Sequence, residues 1–123
     1  MERRHAILVI EDDDHFRQTL IWALEARQWP VLAAASGAEA LALLGRYAPP
    51  LGAILLDATL PDMAAADMCR ELERARPGLP VIMMSGDPLS LIRERAAVNP
   101  RRFLAKPFDL AALYRELSAS VSS

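Results

Sequence analysis

Thiols are almost absent from this 123-residue chain: Cys69 is its only cysteine. One thiol excludes an intramolecular disulfide framework and a cysteine-based zinc site. Cys69 lies in Asp67-Met68-Cys69-Arg70-Glu71-Leu72, which has helical character, so it reads as a buried structural thiol. Neither histidine, His5 or His15, has a metal-ligand partner at suitable spacing, and His15 reads as a helix-surface residue. Charge of one sign is also missing. Fourteen Lys and Arg face sixteen Asp and Glu, for a net charge of −2. The basic residues are scattered apart from short pairs such as Arg101-Arg102, so nothing global points to nucleic acid or an anionic membrane. No apolar stretch approaches the roughly 20 residues of a membrane helix. Only Ala6 to Ile10 separate Arg4-His5 from an acidic run, too little for a signal peptide. The expectation is a cytoplasmic protein with no membrane and no direct nucleic-acid partner.

What remains is ordinary for a folded domain: 53% hydrophobic and 24% charged residues, in a length close to the common domain size of about 100–150 residues. Four apolar runs stand out: Ala6-Ile10, Gly52-Leu56, Val81-Met84 and Phe103-Ala105. Val31-Ala34 is a weaker fifth. The runs are continuous rather than alternating, which suits strands of a parallel sheet covered on both faces. Between them lie segments of helical period. Phe16, Leu20 and Leu24 mark the first. Leu41, Leu44 and Ala48 mark the second, behind a Ser36–Glu39 capping box. Met68 and Leu72 mark the third, stopped by Pro77-Gly78. Leu89, Ile92 and Ala96 mark the fourth, ended by Asn99-Pro100. Leu110, Leu113, Leu117 and Val121 mark the last, capped by Asp109. Five βα units with short loops imply right-handed crossovers and a three-layer α/β sandwich. One domain over residues 1–117 is expected, with 118–123 a short polar tail or the start of a linker.

In such sheets sites form beyond the carboxyl ends of the strands. Here those ends carry Glu11-Asp12-Asp13-Asp14, Asp57, Ser85-Gly86 and Lys106-Pro107. If the first and third strands are neighbours, Glu11, Asp12 and Asp57 converge, and three close carboxylates raise one another's pKa unless a cation joins them. Mg²⁺ suits such oxygen donors. Lys106 and Ser85 would complement the equatorial oxygens of a phosphoryl group, whose transfer depends mainly on positioning and charge neutralisation. A carboxylate is a competent nucleophile for that reaction. One of Asp13 and Asp14 is expected to cap the first helix.

Ile7-Leu-Val-Ile-Glu-Asp-Asp13, Ile54-Leu-Leu-Asp-Ala-Thr-Leu-Pro-Asp62, Met84-Ser-Gly86 and Phe103-Leu-Ala-Lys-Pro-Phe108 resemble the four signature blocks of the response-regulator receiver family, in order and across nearly the whole chain. The resemblance implies a CheY-like, flavodoxin-like (βα)5 fold with a five-stranded parallel sheet in order 2-1-3-4-5. It implies that Asp57 is the phosphoacceptor, that Glu11 and Asp12 hold Mg²⁺, Asp12 directly, and that the backbone carbonyl of Thr59 is a further ligand. Ser85 would hydrogen-bond the phosphoryl group and Lys106 would pair with it, aimed by a cis Lys106-Pro107 peptide. Gly86 would keep the donor's approach open, Phe103 would be the aromatic switch coupled to Ser85, and Asp87 would sit where phosphoryl lifetime is tuned. The donor would be a sensor histidine kinase or histidine phosphotransfer protein. Output would pass to a downstream protein or fused output domain through the fourth-helix, fifth-strand, fifth-helix face, which could also form a homodimer. The domain would accept phosphate and assist its own phosphorylation and dephosphorylation without being an enzyme in the usual sense.

Two stretches depart from the family pattern. Ala64-Ala65-Ala66 replaces an Asp-Gly pair, removing a position that tolerates positive φ, so a shifted loop or earlier helix start is expected. Val98-Asn-Pro-Arg-Arg102 replaces a Gly-Ala turn and points to an abbreviated or tilted fourth helix. Three other functions compete. A haloacid-dehalogenase-type phosphohydrolase needs an Asp where Thr59 stands. A flavodoxin-like flavin carrier needs a Ser/Thr/Gly-rich loop where the acidic run lies. A degenerate receiver working only through unphosphorylated contacts would not need the intact acidic triad.

Overall fold

Each apolar run becomes a strand because both of its faces are covered. The computed structural model describes residues 5–46, 50–95 and 102–121. Within them β1 (Ala6–Ile10), β2 (Val31–Ala34), β3 (Leu51–Asp57), β4 (Val81–Ser85) and β5 (Arg102–Ala105) alternate with α1 (Asp14–Ala26), α2 (Gly37–Arg46), α3 (Ala65–Ala75), α4 (Leu89–Arg95) and α5 (Leu110–Val121). All strands are parallel, in the order β2-β1-β3-β4-β5.

Side chains leave a strand alternately on its two faces, and the core divides accordingly. Ile7, Val9, Leu55, Ile82 and Met84 pack with Leu20, Ala23 and Leu24 of α1 and Leu113 and Leu117 of α5. Leu8, Ile10, Ile54, Leu56 and Met83 pack with Ala40 and Leu44 of α2, Met68 and Leu72 of α3, and Ile92 of α4. Every residue of β1 is buried. Burying each large side chain contributes about 1.5–3 kcal/mol against chain entropy.

Local signals set the helix ends. Asp13 caps α1, its Oδ1 accepting the Phe16 amide at 3.0 Å, while Asp14 pairs with Arg17. Ser36 Oγ accepts the Glu39 amide and Glu39 Oε2 accepts the Ala35 amide, closing a capping box one residue wider than the usual form. Asp109 caps α5 through the Ala112 amide. At the end of α1, Gln28 takes a left-handed conformation (φ 65°). Its amide bonds to Glu25 O and that of Trp29 to Leu24 O, a Schellman motif with Gln where Gly is usual.

Some expectations change. Leu110 is not on the buried stripe of α5; it is 48% exposed, because it opens the helix ahead of Leu113 and Leu117, which cover the sheet. Helix α3 starts at Ala65 after an extended Ala64 that supplies no side-chain cap. Among the described residues Gln28 is the only non-glycine with positive φ, so this loop turns without that conformation. Helix α4 has seven described residues; Ala48, Ala96 and the Asn99-Pro100 stop lie outside the described residues.

Candidate phosphoacceptor site

The register carries the polar strand ends to one edge of the sheet. Ile10 pairs with Leu56, Asp57 with Met84, and Ser85 with Ala105. Glu11, Asp57, Ser85 and Lys106 therefore emerge side by side, where β1 and β3 diverge toward α1 and α3.

Glu11 is 1% and Asp57 3% exposed, whereas Asp12 is exposed. One oxygen from each of the three lies within 4.8 Å of the others. Lys106 Nζ donates to Glu11 Oε1 at 2.7 Å and stands 3.9 Å from Asp57 Oδ2. Asp57 Oδ1 accepts from both the amide and the hydroxyl of Thr59, each at 2.9 Å. Glu11 Oε2 accepts the Asp13 amide.

Burial, reinforced by a shared hydrogen bond with Asp57, pushes Glu11 up to about 7, against the opposing pull of Lys106. Burial also raises Asp57, but hydrogen bonds from Glu11 and the Thr59 amide outweigh it and hold that carboxyl below its ordinary value. Two adjoining carboxyls pushed apart in this way leave Asp57 ionised and Glu11 holding a proton more readily than an ordinary carboxyl. A hard cation among the three would favour the ionised form of all of them. The donor set fits Mg²⁺: all oxygen, with exposed Asp12 leaving space for the waters this ion keeps.

Ser85 is fully buried, and its Oγ accepts the Asp87 amide at 2.9 Å, leaving its own O–H as a donor. Gly86 is exposed, and a Cβ there would meet nothing within 4 Å. Phe103 is half-buried against the α2–α3–α4 face. The Lys106-Pro107 peptide is cis. His15 is exposed on α1, and Cys69 is half-buried, its thiol raised by burial. A cavity of about 510 Å³ lies at the opposite edge of the sheet, lined by His5, Leu51, Arg76 and Pro80 among others, away from the carboxylates.

Four contacts at this edge were not legible in the sequence. Arg17 Nη1 donates to the Glu11 carbonyl at 2.9 Å. Phe16 of α1 packs half-buried against the core, as expected, and its ring also lies under Lys106, with Phe108 against it. Asp62 accepts the amides of Gly37 and Ala38 at the start of α2, both at 3.0 Å. Only the helical period placed Phe16 on an inward face; no local signal pairs Asp62 with residues 24 and 25 positions away.

The family model for the response regulator receiver domain matches residues 7–118. The chain belongs to that family. It is a receiver domain of two-component systems, and phosphorylation on an aspartate with Mg²⁺ follows from the family. It is 31% identical over 108 residues to the sensor kinase CckA of Brucella abortus, covering 87% of this chain and 11% of the kinase. It is 28% identical to the probable transcriptional regulatory protein TcrX of Mycobacterium tuberculosis, covering 92% of this chain and 48% of that protein. The chain thus spans less than half the length of these two relatives. The receiver domain of the sensor histidine kinase PA1611 from Pseudomonas aeruginosa superposes with a TM-score of 0.85 at 28% identity, covering 98% of this chain and 99% of that one; its structure has a magnesium ion coordinated in the active-site cleft. Among the described residues no helix is long and apolar enough to cross a membrane.

Proposed function

We propose that this receiver takes a phosphoryl group onto Asp57, with Mg²⁺ held by Glu11, Asp12, Asp57 and the backbone carbonyl of Thr59. The observation that carries this reading is the cluster itself: three carboxylates with oxygens within 4.8 Å of one another and Lys106 lodged against two of them. Mg²⁺ would supply charge neutralisation for the phosphoryl oxygens. An ionised Asp57 oxygen bonds phosphorus as the donor's own bond to it breaks. Lys106 and the Ser85 hydroxyl are the groups at hand to receive the transferred oxygens.

The donor is a histidine kinase or a histidine phosphotransfer protein in the cytoplasm. The group's arrival is read through Ser85 and Phe103 at the α4–β5–α5 face, by a downstream protein or a fused output domain, or by pairing of two copies through that face. Residues 1–117 make up the receiver and 118–123 a tail. The domain acts as acceptor and as assistant to its own phosphorylation and hydrolysis. Thr59 supports this over hydrolase chemistry, since its hydroxyl donates to Asp57 and offers no acid/base carboxyl.

Incubation with Mg²⁺ and acetyl phosphate, followed by intact mass, should add one phosphoryl group, lost in Asp57→Ala and with EDTA. Persistence of the added mass in Asp57→Ala, or its absence from the native chain, would sink the reading.

A further inference from the structure

Lys106 is the only lysine in the chain; the other thirteen basic residues are arginines. Among the described residues its ammonium lies close to Glu11 Oε1 at 2.7 Å, Asp57 Oδ2 at 3.9 Å, and the Phe16 ring, whose centroid is 4.5 Å away. The ring is itself held. Phe108 meets it edge-to-face, with centroids 5.7 Å apart and planes at 72°. Its backbone amide is fixed by the Asp13 cap at 3.0 Å, and the next residue, Arg17, donates to the Glu11 carbonyl.

A lysine stem has four rotatable carbons and a compact charge, so ion pairing alone sets a distance without a direction. The negative face of an aromatic ring within about 6 Å attracts a cation from one defined side. With carboxylates on one side and the ring on another, the ammonium is confined to the gap beside Asp57. We propose that Phe16 is a positioning residue for Lys106, its ring face holding the ammonium where it can meet a phosphoryl group on Asp57. The reactive consequence rests on Asp57 being the acceptor; the placement of Lys106 does not.

Two measurements on the full chain test this. In ¹H–¹³C spectra the ε-methylene of the single lysine should be shifted upfield by the ring current. The shift should persist in Phe16→Tyr and vanish in Phe16→Leu. With acetyl phosphate and Mg²⁺, Phe16→Leu should slow formation of the phosphoryl adduct at saturating donor by about three- to tenfold, and Phe16→Tyr by less than about twofold. In a Lys106→Ala background, Phe16→Leu should cause no further loss, as expected when two residues act through one contact. A loss from Phe16→Leu that is undiminished without Lys106, or a Tyr variant as slow as Leu, would mark Phe16 as a core residue only and overturn the proposal. An unshifted lysine methylene in the native chain would do so as well. If the methylene shift depends on the ring while the native chain takes no phosphoryl group, the placement stands and the reading of Asp57 falls.

Discussion

The loops that follow β1 and β3 leave neighbouring strands at the same edge, yet they are anchored by opposite means. The β1–α1 loop is secured within itself. Asp13 caps the helix it precedes, Glu11 accepts the Asp13 amide, and Arg17 reaches back to the Glu11 carbonyl. The β3–α3 loop closes on itself only at its start, where Thr59 donates to Asp57, and the helix that follows it has no such cap. Ala64 sits in the extended conformation proper to a cap but has no side-chain oxygen. This loop is held instead by Asp62, which grips the first amides of α2, and by Met63, whose sulfur lies against Gly37. A Cβ on Gly37 would come 2.8 Å from the sulfurs of both Met63 and Met68, so glycine there lets the loop and α2 meet. The helix entry on one wall of the site thus depends on its own sequence, though Lys106 also reaches Glu11 there. The far part of the other wall depends on a helix two elements away.

The largest break in this contrast should come from Asp62→Ala. It leaves two helix-terminal amides without their acceptor and releases the β3–α3 loop, whereas Asp13→Ala leaves one amide and spares the Arg17 contact. Loss of a capping side chain is felt by the whole fold. Thermal unfolding followed by circular dichroism should show both midpoints lowered, by several degrees for Asp62→Ala and by less for Asp13→Ala. Equal losses would mean that the two loops are anchored alike.

A smaller change should erase part of the difference. Ala64→Ser gives α3 the hydroxyl it lacks, at a residue whose backbone (φ −67°, ψ 146°) already suits a cap. Serine serves better than aspartate here, because Asp67 in the first turn and nearby Asp62 would repel another carboxylate. The expected gain is about 0.5–1 kcal/mol, seen as a higher denaturant midpoint with an unchanged slope. No gain would show that Asp62 alone suffices to fix the loop.

The same contrast explains what could be read from the sequence. Ala6–Ile10 and Val31–Ala34 are strands with the expected limits, because a run buried on both faces leaves no competing pattern. Ser36 and Asp109 cap as expected, since a cap acts within three residues. The acidic cluster was legible because strand order and the carboxyl-edge rule together dictate it. The choice between Asp13 and Asp14 needed backbone geometry. Leu110 misled because a periodic stripe does not reveal where the covering sheet ends. Asp62 and the pairing of Phe16 with Lys106 were out of reach: both link residues far apart in sequence, and neither residue type announces its partner.

The finest probe of the contrast is acid. The amides of Ala38 and Gly37 hold the Asp62 carboxyl below its ordinary value of 3.8. A carboxyl whose folded pKa is depressed contributes stability above its unfolded pKa and loses it as the pH falls through the folded value. Asparagine keeps an accepting oxygen at residue 62 but cannot titrate. The stability difference between the native chain and Asp62→Asn should therefore be flat from about pH 5 to 8 and shrink below the ordinary carboxyl value. Asp62 is exposed, so the change is modest and should fade as salt is added. Asp13 is also depressed, by the Phe16 amide, and it remains in both proteins, so its titration cancels from the difference. A difference constant down to the acid transition would show that the charge of Asp62 contributes nothing, and that its hydrogen-bond geometry alone ties the β3–α3 loop to α2.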